Sequence, residues 1–292
     1  MANSCGTAVL PAAREHRIAD LYLVAQQKFW RVDTSLDWSH FPDTGAFPFS
    51  RAGNRFSGYC EYESLSVSQQ RTLAWQLHAA EINDILYGER AALKLAAQML
   101  PACDSLRVQM FLASQVADEA RHVEFFARYL RALPATDLPP SVALRDYLHA
   151  AVQDSQQTAK QIACQLVLEP LAMIRFRELR SNTKVPLLRQ ALSYIARDEA
   201  RHTRFGREFP LLTRQSLSAA RGELKLEQIS GKLQQLAGDL QLLLDIGRDW
   251  GFRRVSLRRH LHQRRCANAA ARRQLQHCLQ SLGRAFERHR AH

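Results

Sequence analysis

The sequence predicts an all-α protein: a bundle of four long helices with additional N- and C-terminal helices. Apolar residues recur with helical rather than alternating spacing through the middle of the chain. Prolines and capping residues cut that region into four blocks. One five-residue string, Asp-Glu-Ala-Arg-His, occurs in two of the blocks, so the chain repeats itself.

A helix from about Ala12 to Trp30 opens the chain, followed by a loop-rich segment to Ser64. Trp38, Phe41, Phe47, Phe49, Phe56, Tyr59 and Tyr62 are expected to pin that segment to the bundle. The first bundle helix runs from about Ser68 to Leu100 and stops at Pro101. The second starts after Asp104 as its cap and ends before Pro134. The third opens after Pro139 and Pro140 with Ser141 as cap and reaches about Leu179, while the fourth runs from near Pro186 to before Pro210. Short connections make sequential helices antiparallel. Leu233, Leu236, Leu240 and Leu243 then mark a flanking helix, and Leu275, Leu279, Leu282 and Phe286 fit one face of another. The expected organisation is an N-terminal helix and aromatic loop over 1–66, the bundle over 67–212, a flanking helix over 213–247 and a basic extension over 248–292.

With 292 residues, 46% hydrophobic and 23% charged, the composition is that of an ordinary globular chain and excludes collagen-like, disordered and disulfide-scaffold classes. The formal net charge is +12, but residues 248–292 hold twelve arginines against Asp249 and Glu287, a local +10, leaving +2 for the rest. A uniformly basic nucleic-acid-binding domain is therefore not what the sequence shows. The six cysteines form no C-x-x-C pair and no secretory leader is evident, which points to a reduced, cytoplasmic protein. No apolar run is long enough to predict a membrane span.

The repeated string stands at Asp118 to His122 and at Asp198 to His202, an offset of 80 residues. The same offset pairs Glu89 with Glu169, each thirty residues before the glutamate of the string that follows. On a helix, residues i and i+3 share a face, so Glu119 projects with His122 and Glu199 with His202. Thirty residues is a helix, a turn and half the next helix, which returns Glu89 beside Glu119 and Glu169 beside Glu199. Four carboxylates and two imidazoles suit two metal ions, and the hard oxygen and nitrogen donors favour iron, with manganese and iron as the alternative. Buried without metal, the same charges would cost several kcal/mol or take up protons.

Asp118 and Asp198 are expected to receive the outer ring N–H of the histidines, crossing over so that Asp118 serves His202 and Asp198 serves His122, with Arg121 and Arg201 pairing to them. The alternative makes these aspartates plain surface partners of the arginines. Glu81 and Glu178 break the thirty-residue spacing and read as structural or solvent-facing. Pro170 directly follows Glu169, so a kink or π-type bulge is expected there, or else a turn between two helices. One turn from the ligands, Ile85, Ala92, Phe126, Met173, Ile195 and Phe205 predict a greasy lining, with Gln165 its one uncharged polar side chain.

Over about residues 70 to 210 the doubled Glu plus Glu-x-x-His pattern resembles the ferritin-like di-iron carboxylate superfamily. Asp-Glu-Ala-Arg-His looks most like its oxygen-activating branch, which includes bacterial multicomponent monooxygenases, acyl-carrier-protein desaturases and ribonucleotide reductase small subunits. The entry from Leu21-Tyr22 to Asp37-Trp38 is similar to that of the reductase-like group. The resemblance implies a ferritin-like four-helix bundle and a non-haem di-iron enzyme that activates dioxygen.

Departures from the family narrow the reading. Phe126 stands where reductase small subunits commonly carry a radical tyrosine, and no tyrosine follows Tyr194, which disfavours ribonucleotide reduction. Ala92 and Cys164 stand where ligand-binding oxidases of this group carry a crosslinked valine and tyrosine. Ile195 replaces the third histidine of arylamine N-oxygenases, and Met173 replaces a threonine common in multicomponent hydroxylases. What remains is an oxygenase or desaturase acting on a small organic or carrier-protein-bound substrate. The alternatives are an iron-handling protein, an N-oxygenase and a metal-retaining scaffold. The chain carries no flavin, haem, iron–sulfur or nucleotide motif, so a separate reductase or ferredoxin is the expected electron donor, and a homodimer is a further expectation. The basic extension reads as a docking surface for an acidic partner, as a membrane-surface or nucleic-acid contact, or as a solvated arginine face. Nucleic acid is disfavoured because no aromatic pattern accompanies the arginines.

Overall fold

The computed structural model describes residues 12–39, 41–133, 139–208 and 240–266. Its elements are α1 (Ala12–Gln27), α2 (Cys60–Glu63), α3 (Val67–Met99), α4 (Leu106–Ala132), α5 (Val142–Gln153), α6 (Gln157–Gln161), a π-helical stretch (Ile162–Leu168), α7 (Glu169–Asn182), α8 (Pro186–Glu208), α9 (Gln241–Asp249) and α10 (Arg254–Cys266). Among the described residues the one β-like feature is an isolated bridge between Phe49 and Thr183, and no helix is long and apolar enough to cross a membrane. The all-α ferritin-like bundle is the observed architecture, with α3, α4, α8 and the π stretch running into α7 as its four members.

Local chemistry sets the helix ends. Ser66 caps α3 through a reciprocal pair with Gln69: its hydroxyl accepts the Gln69 N–H while the Gln69 side chain accepts the Ser66 N–H. Pro101 lies in the tight turn Leu100–Ala102 that ends this helix. The cap residue of α4 is Ser105, one position beyond the expected Asp104, and its hydroxyl donates to Glu15 of α1 at 2.7 Å instead of capping. The opening helix ends at Gln27 rather than Trp30, because the Trp30 indole is drawn inward to donate to Asp198 at 2.8 Å.

The third block is not one helix from Ser141 to Leu179. The side chain of Asp154 accepts the Gln156 N–H at 2.8 Å, a local turn that competes with the helical ladder and separates α5 from α6. Downstream the chain runs without a break through the π stretch into α7, and the Glu169 N–H donates five residues back to Cys164 O. A π-type bulge thus adjoins Glu169, as Pro170 required. The wider turn brings this backbone against α8. A Cβ placed on Gly206 would meet the Gln165 carbonyl oxygen and Cβ at 2.9 Å each, so only glycine fits that approach.

Apolar side chains fill the bundle in two layers at different heights. One contains Trp30, Ile82, Ile85, Phe125, Phe126, Phe176 and Ile195; the other contains Ile18, Leu21, Leu95, Phe111, Leu112, Cys164 and Phe205. On every bundle helix the acidic residues of the repeat fall between these layers. The aromatic segment packs as expected: Phe49, Phe56, Tyr59 and Tyr62 are buried against α3, together with Leu244 of α9 and Leu257 and Leu261 of α10. Arg253, Arg254, Arg258 and Arg259 face outward. Leu233, Leu236, Leu275, Leu279, Leu282 and Phe286 lie outside the described residues, while Leu240 is the N-cap of α9 and Leu243 lies within it.

Candidate metal centre

The structure brings all six repeat residues to one place, each at most 4% exposed. They form two overlapping groups whose ligating atoms lie within 4.8 Å of one another: Glu89, Glu119, His122 and Glu199, and Glu119, Glu169, Glu199 and His202. Glu119 and Glu199 belong to both groups, while each group has its own terminal carboxylate and its own histidine. His122 Nδ1 stands 3.0 Å from Glu89 and 3.2 Å from Glu199, and His202 Nδ1 stands 3.1 Å from Glu119 and 3.5 Å from Glu169.

The outer nitrogens make the crossed contacts. His122 Nε2 lies 3.2 Å from Asp198, and His202 Nε2 lies 3.2 Å from Asp118. Arg201 donates to Asp198 at 2.6 Å and to Asp118 at 2.9 Å, and Arg121 donates to Asp118. These aspartates are buried, so the surface-pair alternative does not describe them. Glu81 and Glu178 instead pair with Arg175 at 2.7 and 3.6 Å, away from the cage.

Buried together, the acids and imidazoles of the cage shift one another's protonation. Burial pushes Glu89 up to about 8 and holds Glu169 well above the usual carboxylate range. Burial opposes charge on both imidazoles, yet Asp198 and three glutamates around His122, and Glu169, Glu119 and Asp118 around His202, raise both well above the ordinary histidine value. Burial also disfavours ionised Glu199, but its neighbours Glu169, His122 and His202 hold it well below normal. The donor set fits metal. Glu119 Oε2, Glu199 Oε2 and His202 Nδ1 are buried without a hydrogen-bond partner, an arrangement that costs about 1–3 kcal/mol per group unless a cation uses it. The cage is thus able to bind two metal ions.

Ile85, Phe126 and Ile195 belong to one apolar layer and Phe205 to the other, Ala92 is buried, and Met173 is only half-buried. Gln165 donates to Gln115 at 2.8 Å, and Gln115 donates to Glu169 at 2.8 Å. Sequence reasoning missed Gln115, although it stands one turn before Glu119 just as Gln165 does before Glu169. It also missed Trp30, whose ring stacks on His122 at 6.4 Å between centroids and on Tyr194 at 5.4 Å. Cys164, noted only as a departure from a crosslink, places its thiol 3.6 Å from Glu169 because the π turn aligns residues five apart.

Fold and cage together define a ferritin-like bundle protein with a buried site for two metal ions. No protein-family model matches the chain, and no curated protein matches it. Among solved structures, an R2-like ligand-binding oxidase with aerobically reconstituted Mn/Fe cofactor aligns with a TM-score of 0.55 at 17% identity, over 90% of this chain and 94% of that one. A tyrosine-to-phenylalanine variant of such an oxidase gives 0.57 at 18% identity over 90% and 95%. A valine-to-leucine variant with anaerobically reconstituted Mn/Fe gives 0.54 at 19% over 92% and 98%. At these identities the likeness establishes the fold.

Proposed function

We propose that this chain is a dinuclear-metal oxidase that uses iron, or manganese with iron, to activate dioxygen and to hydroxylate, oxygenate or desaturate an organic substrate. The observation that carries this reading is the sharing of Glu119 and Glu199 between two four-residue groups, each of which could hold one ion. The Mn/Fe oxidases that share the fold support it. When bound, such a pair supplies the electrons that dioxygen requires.

The chain's own residues prepare the site. Asp118 and Asp198 accept the Nε2 protons and so turn the Nδ1 lone pairs inward. Gln115 fixes the orientation of Glu169. The two apolar layers keep water away, which strengthens every electrostatic contact between them. Electrons come from a separate donor, a reductase or ferredoxin, and the protein works in the cytoplasm.

The test is to load the full chain anaerobically with ferrous iron, alone and with manganese, count the metal per chain, admit dioxygen, and follow spectra and product masses. Two ions per chain and a new organic product are expected. Fewer than two ions in folded protein would refute the reading; rapid iron oxidation with no organic product would make the chain an iron-handling protein instead.

A further inference from the structure

Away from the cage, α3 and α4 bury a second polar pair. His78 Nε2 and the Tyr129 hydroxyl lie 2.8 Å apart, and both residues are fully buried. Trp75 and Phe49 meet the His78 ring edge-on at 5.5 and 6.2 Å, while Phe41 stacks on Tyr129 at 4.3 Å. The pair leaves a polar group unsatisfied, because His78 Nδ1 has no hydrogen-bond partner. If the phenol donates to Nε2, a proton is stranded on Nδ1; if Nε2 donates, Nδ1 is a bare acceptor. Either state costs about 1–3 kcal/mol, which an apolar pair would avoid, so packing does not account for the polarity.

Burial keeps His78 neutral, with its pKa lowered to about 4, so in the tautomer protonated at Nδ1 its Nε2 is a free base at neutral pH. Burial pushes the Tyr129 phenol well above its usual range, so it does not ionise by itself. A phenol that keeps its proton, with a neutral base at hydrogen-bond distance, is arranged to lose proton and electron together. Tyr129 lies two helical turns beyond His122 on α4, roughly 10 Å along the axis. Phe125 lies between them, 5.7 Å from the Tyr129 ring. On the outer side, Trp38 contacts both Phe125 and Phe41 at about 6 Å.

We propose that Tyr129 and His78 form a proton-coupled redox site that holds one oxidising equivalent drawn from the metal centre. The proposal rests on the oxidase reading. Tyr129 gives one electron to the oxidant produced from dioxygen at the metal site, and its phenolic proton moves to His78 Nε2. The products are a neutral phenoxyl radical and an imidazolium; one electron from the external donor, with return of the proton, restores the pair.

The test follows the iron-loaded full chain by electron paramagnetic resonance after exposure to dioxygen, with ordinary and ring-deuterated tyrosine. A phenoxyl signal that narrows on deuteration is expected. It falls at least about tenfold in Tyr129→Phe and forms at least about a hundredfold more slowly in His78→Phe, while iron oxidation persists. Ring deuteration and a second variant, His78→Gln, keep the test independent of a variant that fails to fold. A second arm oxidises metal-free protein with photogenerated ruthenium(III) tris-bipyridine and looks for the same radical. Iron that binds but is not oxidised overturns the oxidase reading, and the second arm then decides the pair alone. Normal iron oxidation without a phenoxyl, even where the second arm yields one, overturns the proposal, as does a signal unchanged in Tyr129→Phe.

Discussion

His122 and Asp198, 76 residues apart in the chain, meet at 3.2 Å, and the mirrored contact joins His202 to Asp118 at the same distance. Each Asp-Glu-Ala-Arg-His string therefore supplies the carboxylate that orients the histidine of the other. Asp198→Ala and Asp118→Ala should each weaken metal binding about 10–100-fold. Competition against a chelator of known affinity measures this, and unchanged affinity in both variants would remove the aspartates from the site.

Sharing of Glu119 and Glu199 predicts unequal losses of metal. Glu199→Ala should drop bound metal from two ions to fewer than one, whereas Glu89→Ala should leave one, since Glu89 belongs to a single group. Metal analysis of folded variants decides this, and equal losses would contradict the shared geometry.

Folding stability should carry the signature of His78. Its pKa is lowered from 6.5 to about 4, so the unfolded chain binds the proton more readily than the native one. Its contribution is fully present above pH 6.5 and is lost as pH falls towards 4, a change of about 3 kcal/mol over the window. His78→Phe should flatten that part of the curve in denaturant titrations at stepped pH.

Gly206→Ala would push a methyl group against the Gln165 carbonyl oxygen at 2.9 Å, and backbone cannot step aside as a side-chain tip can. A loss of about 1–3 kcal/mol is expected. The displaced π stretch should also lower metal occupancy, because Gln165 and Glu169 ride on it. Calorimetry and metal analysis on the same sample test both effects.

Leu257 of α10 is fully buried, in the apolar cluster that also holds Phe56 and Leu73. Leu257→Ala should cost about 2–5 kcal/mol, and truncation at residue 248 should destabilise the bundle itself. Thermal unfolding of the two chains checks this. The start of the arginine-rich region is thus part of the core, while its arginines face outward.

Much of the bundle is legible in the sequence because its signals are local. Prolines end helices by removing a donor, and a period of 3.6 residues marks the buried face, so α3, α4 and α8 fall within a few residues of expectation. The break at Asp154 was not legible, since a single Asx turn competes with the ladder without leaving a proline or glycine. Trp30 was equally hidden: nothing near it in the chain signals a hydrogen bond to a carboxylate 168 residues away.

The sequence by itself determined which residues meet at the cage, because a repeat with a fixed thirty-residue interval on helices leaves little freedom in where the side chains return. Only the tertiary structure decided how they meet: which glutamates are shared, which imidazole nitrogen faces inward, and how the π turn makes one half of the site differ from the other. Those choices depend on helix rotation and depth, set by the apolar layers above and below the cage, and packing of that kind is a property of all four helices at once.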